Sequence, residues 1–281
     1  MEKRILTGEL LETFRRHLLL EEHEGSTVEK YLRELRQLLT WLAGGAVTKE
    51  RAAAWKESLV EHGYAPATVN GKLAAMNALF LFAGWEDCRV KSLRLQRRLF
   101  REPKRELSRE EYGRLLHTAE ESGRERLLLL LETICSTGIR VSETRYITLE
   151  AAGKGKAEIS LKGKVRTILL PGKLCRKLQK YAKRQKIASG EIFLTRSGKP
   201  LSRKQIWSEM KTICAQAGVE PGKVFPHNLR HLFARCFYRA CRDVVKLADV
   251  LGHSSVETTR IYLISTGEEH ARALDRLQLV S

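Results

Sequence analysis

Through the first eighty residues, apolar positions recur at intervals of three and four, the spacing that gathers side chains on one face of an α-helix. One such stretch runs from Thr7 to Leu20. Ser26-Thr-Val-Glu29 has the form of a capping box and predicts a second helix to about Ala43, stopped by Gly44-Gly45. Thr48 is placed to cap a third helix reaching about His62. Pro66, favourable in a first helical turn, opens a fourth that carries Leu73, Met76, Leu79 and Phe80. Residues 1–88 therefore read as a compact four-helix domain.

The pattern changes after residue 106. Ser108-Arg-Glu-Glu111 forms a second capping box, and the apolar segment from Leu127 to Ile134 is long enough for a buried helix that ends near Gly138. Only then does period two appear. Ala157–Leu161 and Val165–Leu170 flank Lys162-Gly163-Lys164, which predicts a β-hairpin with glycine in its turn, and Ile192-Phe-Leu194 predicts a short third strand. Helical signals return from Gly172: Ser202-Arg-Lys-Gln205 caps one helix, Pro226 precedes another running through Phe237, Asp243 opens a third that Gly252 closes, and two more follow. The fold expected is mainly α with a small β-sheet, residues 107–281 forming an α+β domain. Between the domains, residues 89–106 carry no sustained period and contain Pro103, so they read as an extended linker.

Charge sharpens this division. The chain carries a net +18, but residues 1–88 sum to −2, residues 89–105 to +7 and residues 106–281 to +13. An excess of that size favours a polyanionic partner. In the connector, Arg97, Arg98, Arg101, Lys104 and Arg105 can lie along phosphates; a merely solvated linker has the same composition. Lys173–Lys186 holds seven bases and no acid on an expected helix, which fits either a solvated face or phosphate contact, and Arg203 and Lys204 are further candidates for phosphate contact. No apolar run approaches the ~20 residues of a membrane span, and Met1-Glu2-Lys3-Arg4 leads into no apolar signal region, so a cytoplasmic chain is expected. The six cysteines form no C-x-x-C pair, which suits reduced, packed thiols better than disulfides or a metal.

Three clusters carry chemistry. Thr137-Gly-Ile-Arg-Val-Ser-Glu143 sits where one helix ends and the next is expected to start, so that backbone N–H groups and Arg140 face an anion. His227 and Arg230, three apart on one helix face, can grip one phosphate and exchange a proton with it. Leu251-Gly252-His253 is followed by Tyr262. Taken singly, each reads equally as a surface or packing residue. Gly153-Lys-Gly-Lys156 lacks the spacing of a phosphate-binding P-loop, and no paired carboxylates of the two-metal nuclease type occur.

In order and spacing, Arg140, the hairpin lysine, His227-x-x-Arg230, Leu-Gly-His253 and the trailing Tyr262 resemble the tyrosine recombinases, the phage integrase and Xer-like family. The resemblance covers both domains. It implies an N-terminal SAM-like, DNA-binding four-helix core-binding domain, a basic linker and a catalytic domain that together wrap duplex DNA at a recombination site. It also implies an enzyme that cleaves and rejoins DNA through a 3′-phosphotyrosyl intermediate, with no cofactor. By this resemblance Tyr262 attacks, His227 accepts its proton, Arg140 and Arg230 clamp the scissile phosphate, and His253 contacts a non-bridging oxygen. Lys162 protonates the leaving 5′ oxygen, with Lys164, Lys154 and Lys156 as alternatives, and Glu143 buttresses the site. Lys164 is otherwise a DNA contact.

The resemblance further implies a homotetramer on two duplexes, monomeric or dimeric off DNA, with accessory directionality factors and a nucleoid-associated, bacterial-type setting. The tail at 267–281 is expected to dock into a neighbouring protomer, with packing in cis as the alternative. The extra arm-site-binding domain of larger integrases is expected to be absent. Integration, excision, inversion and resolution are all compatible with these residues, as is a mobile element. A type IB topoisomerase and a non-catalytic DNA-binding protein are the rival readings.

Overall fold

The computed structural model describes residues 4–95, 105–161, 164–253, 255–263 and 275–277. The chain divides into two compact units, Met1–Arg97 and Arg98–Ser281. In the first, α1 (Gly8–Leu20), α2 (Gly25–Leu42), α3 (Lys49–Glu61) and α4 (Pro66–Phe82) close around Phe14, Leu32, Leu35, Leu38, Leu73, Met76, Leu79 and Phe80. Thr48 caps α3 as expected, accepting from Arg51 N–H, and Thr7 likewise caps α1, accepting from Leu10 N–H. The capping box at Ser26–Glu29 does not form. Helix α2 already begins at Gly25 with Glu24 as its N-cap, so Ser26 lies inside the first turn and its hydroxyl binds the Glu24 carboxylate at 3.3 Å.

The start of the presumed linker belongs to this unit. The Asn77 amide donates to Val90 O at 2.9 Å and accepts from Val90 N at 3.0 Å; Asn70 does the same with Leu93, at 2.9 and 2.7 Å. Each side-chain amide stands in for a strand partner and pins the chain to α4.

In the second unit α5 (Arg109–Glu121), α6 (Glu125–Thr137), α7 (Leu149–Lys154), α8 (Gly172–Arg184), α9 (Arg203–Lys211), α10 (Pro226–Cys241), α11 (Val244–Leu251) and α12 (Val256–Arg260) surround the antiparallel hairpin β1 (Lys156–Leu161) and β2 (Lys164–Leu169). Helix α6, buried at Leu127 through Leu131 and again at Thr133, Ile134 and Thr137, is the hydrophobic axis. Both expected capping boxes, at Ser108–Glu111 and Ser202–Gln205, are made. Arg105–Leu107 is tied to this unit: Asn228 donates to Arg105 O at 3.0 Å, and Arg235 binds Glu106 at 2.5 Å and Leu107 O at 2.6 Å.

Several expectations are corrected. Residues 192–194 add no third strand; among the described residues the sheet is two-stranded, because Ile192 and Phe193 are buried in the core and bond to Ile147 and Leu201 instead of to the hairpin. Helix α10 continues past Phe237 to Cys241. Cys236 and Cys241 are exposed on it, not packed. Of the bases on α8, Lys177 binds Glu132 and Arg184 binds Glu125, so two are spent on ion pairs while the others stay exposed over the buried face of Leu174, Cys175, Leu178, Tyr181 and Ala182. Lys162, Arg97, Arg98, Arg101, Lys104 and all of the C-terminal tail except 275–277 lie outside the described residues, as does any second helix after α12.

One polar feature crosses the first core. Lys72 on α4, only 4% exposed, bonds to Glu34 and Gln37 of α2 and lies 5.0 Å from the Tyr64 ring. Burial alone would raise the Glu34 carboxyl, but the hydrogen bonds from Lys72 and Arg33 carry it below its ordinary value. That stabilisation is complete above pH 4.5 and is lost as pH falls through the lowered native value. Lys72→Ala, which strands the buried carboxylate, is expected to cost about 3 kcal/mol in denaturant unfolding, and a Lys72→Met/Glu34→Gln double variant to recover most of it.

Candidate functional site

The candidate residues of the second unit converge where two helices end. Helix α6 stops because Gly138 turns left-handed at φ +65°, and a Cβ there would sit 2.4 Å from the Phe233 ring. The turn frees the Gly138 carbonyl, which accepts from Arg230 Nη1. Helix α11 ends in the same way at Gly252, φ +62°, and the Leu251 carbonyl takes Arg230 Nη2 at 2.8 Å. Arg230 is thereby held 2% exposed inside α10. Burial depresses its guanidinium, and the adjacent Tyr262 hydroxyl works in the opposite direction.

Arg140 opens a six-residue 3-10 turn, Val141–Tyr146, and not the α-helix expected. Nor does its backbone N–H wait for an anion, since the Glu143 carboxylate takes it at 2.7 Å and takes the guanidinium at 2.9 Å. Glu143 is buried at 2% exposure, whereas the Arg140 side chain is 44% exposed, its Nη2 making only a long contact, 3.5 Å, with the Gly252 carbonyl. Sequence reasoning passed over a third guanidinium, Arg166 on β2. It reaches Glu143 Oε1 at 3.4 Å and Val250 O at 3.2 Å. Desolvation first, and then the charges of Arg230 and Arg140 working against the attraction of Glu143, pull it down to about 10. Its signal was readable: in the alternating strand it shares the inner face with Ile168 and Leu170, where an arginine is out of place.

Three imidazoles surround the tyrosine. Tyr262, on the 3-10 turn Ile261–Leu263, is 5% exposed and packs against Ala234, Leu247 and Leu251. Its ring centroid lies 4.4 Å from His231, 5.6 Å from His253 and 6.0 Å from His227. His231 was also missed, although its i, i+4 relation to His227 places both on one face of α10. Their Nε2 atoms stand 3.1 Å apart, so one donates and the other accepts. Desolvation and the charges of Arg230 and Arg140 hold His227 below 6.5, and the same causes, with Arg166, take His253 to about 4.

Both histidines are therefore neutral at neutral pH. His253 Nε2 lies 2.9 Å from Arg230 Nη2; arginine has no acceptor, so this nitrogen accepts and Nδ1 carries the proton toward Thr259 Oγ1 at 2.8 Å. In this state the ring accepts from Arg230 and donates to Thr259. Because the folded protein keeps His253 neutral, its contribution to stability is present above pH 6.5 and lost as pH falls toward 4. Of the remaining candidates, Arg105, Arg203 and Lys204 are exposed and lie outside this cluster. Among the described residues, no group of three or more His, Cys, Asp or Glu could hold a metal ion, and no helix is long and apolar enough to cross a membrane.

The Phage integrase family model matches residues 105–269, which contain all of these site residues, and the model for the phage integrase N-terminal SAM-like domain matches residues 11–87. The chain belongs to the phage integrase family of tyrosine recombinases. Tyrosine recombinase XerA of Pyrococcus furiosus is 30% identical over 290 residues, covering 100% of this chain and 98% of the relative. Among solved structures, a lambda integrase tetramer bound to a Holliday junction aligns with a TM-score of 0.74 at 18% identity, over 93% of this chain and 78% of that one. XerH site-specific recombinase bound to difH substrate aligns at 0.70 with 20% identity, over 95% and 84%. These alignments show the recombinase fold, mostly helical with a small sheet.

Gly252 serves this site doubly, for a Cβ at that position would also lie 2.3 Å from Arg166 Cδ and 2.7 Å from its Nε. Gly252→Ala is expected to lose more stability than the about 1–2 kcal/mol that a left-handed alanine costs anywhere. Gly218→Ala, at φ +60° with nothing within 4 Å, supplies the reference. Equal losses in thermal unfolding would show that Arg166 yields freely.

Proposed function

We propose that this site-specific DNA recombinase breaks and rejoins duplex DNA with Tyr262 as nucleophile, the supporting observation being that the buried phenol lies among three imidazoles and beside Arg230. The Tyr262 oxygen attacks phosphorus and forms a 3′-phosphotyrosyl bond, and the bond to the 5′ oxygen breaks. A phenol attacks well only as it gives up its proton, so an acceptor is needed beside it. The His227–His231 pair is that acceptor, His231 lying nearer the ring and His227, held neutral by its surroundings, leading outward. Arg140 and Arg230 neutralise the non-bridging oxygens, work that a metal does elsewhere. Lys162 donates the proton to the 5′ oxygen, with Lys164 as the alternative on the same turn. Glu143 positions Arg140, and His253 orients Arg230; to donate to a phosphate oxygen when DNA is bound, the ring moves its proton to Nε2 and its Nδ1 accepts from the Thr259 hydroxyl.

Exchange between two sites requires more than one protomer. The tetramer of lambda integrase on a Holliday junction supports four protomers on two duplexes as the assembly in which this chain acts. Basic residues outside the cluster, Arg105, Arg203 and Lys204 among them, add sequence-independent attraction to the backbone. The setting proposed is the cytoplasm, on nucleoid DNA.

Nicked suicide duplexes drawn from DNA flanking the gene test the reading. The parent is expected to become covalently attached and Tyr262→Phe not; undiminished capture by that variant would overturn the assignment. Arg140→Ala and Arg230→Ala are expected to cleave about a hundredfold more slowly or worse while retaining the bound complex in a mobility shift. Since burial and the neighbouring arginines hold His227 below its ordinary value, the acid-side fall in cleavage rate should come at lower pH than a free imidazole would give. A fall at higher pH than that would point to another base.

A further inference from the structure

We propose that Arg166 is a positioning residue that locks the β1–β2 hairpin, and with it the lysine-bearing turn, onto the carboxylate that holds Arg140. The inference rests on the recombinase mechanism above and extends it to a residue with no contact to the reacting atoms. Arg166 pairs in register with Ile159, on the face where Ala157, Ile159 and Ile168 are buried. An apolar side chain there would fasten the hairpin without burying a charge, and burying one is commonly no gain in stability. The guanidinium instead leaves its own sheet and joins three segments. It shares Glu143 Oε1 with Arg140, whose Nη1 lies 2.9 Å from that atom, and it takes Val250 O at the end of α11, three residues before His253. Its Nε is enclosed without a partner, and Gly252 leaves the space the side chain occupies. The hairpin, the Arg140 turn and the segment leading to His253 are thus held by one side chain.

The consequence is chemical. When Tyr262 displaces the 5′ oxygen, that atom leaves as an alcohol only if a proton arrives as the P–O bond breaks, so a lysine on a loosely held turn delivers it late. A 5′-bridging sulfur removes the need, because the P–S bond breaks to give a thiolate whose conjugate acid resembles cysteine, pKa ~8.5. Suicide duplexes with either atom therefore separate delivery of the acid from every other function.

Arg166→Ala and Arg166→Met, the second retaining an apolar stem, are compared with the parent for rate on both esters, for DNA binding and for melting temperature. On the oxygen ester both variants are expected to cleave about a hundredfold more slowly, the low end of what a positioned acid contributes, and on the sulfur ester to come within about threefold of the parent. Equal losses on the two esters would overturn the proposal, since a folding defect or weakened phosphate charge affects both alike. Parental rates on the oxygen ester would overturn it as well. A parent that is trapped on neither ester would sink the nucleophile reading and this one with it, whereas an active parent with equal losses in the variants sinks this one alone.

Discussion

Three guanidiniums must stand within reach of one another before any phosphate arrives to separate them. Like charges so placed repel, and each resists leaving water, which is why Arg166 and Arg230 both hold their protons less firmly than usual. The protein answers mainly with carbonyls. The C-terminal ends of α6 and α11 carry the partial negative charge of unpaired C=O groups, and Gly138, Val250 and Leu251 direct it at Arg230 and Arg166. Glu143 is the one carboxylate among these partners. A ring of acids would hold arginines equally well and would then compete with the substrate. Dipoles hold them and leave the positive charge uncancelled.

The same field governs the imidazoles. A histidine in a cluster of arginines is a poor home for a proton, so His253 and His227 stay neutral where a free imidazole would be partly charged. Neutrality fixes the hydrogen-bond directions around Arg230, and it also leaves an acceptor beside the phenol. One electrostatic condition, excess positive charge in a partly dry pocket, thus sets both the anion affinity and the protonation states.

How much of this the sequence disclosed depends on the kind of signal. Helix caps are local, so Thr48, Ser108, Ser202 and Asp243 were legible, as was the glycine stop at 138. Ser26 misled because Glu24 lies two residues earlier at the position the chain in fact uses. The strand at 192–194 misled because buried apolar residues need only a partner surface, and Ile147 supplied it without a sheet. Arg140, Arg230, His253 and Tyr262 were found as a pattern, yet their partners were not. Nothing local announces that Glu143 serves two arginines or that Val250 O receives one of them as well. Arg166 and His231 left faint traces, an arginine on an apolar strand face and a second histidine one turn on, and each becomes meaningful only once distant segments meet.

The contact between position 252 and position 166 has an implication for heredity. The glycine is required both by its backbone and by the arginine stem that fills the place of its missing side chain. In descendants of this gene position 166 can shorten while the glycine stays, but the glycine cannot be replaced without straining the backbone and displacing the arginine stem, so the constraint runs one way between the two elements.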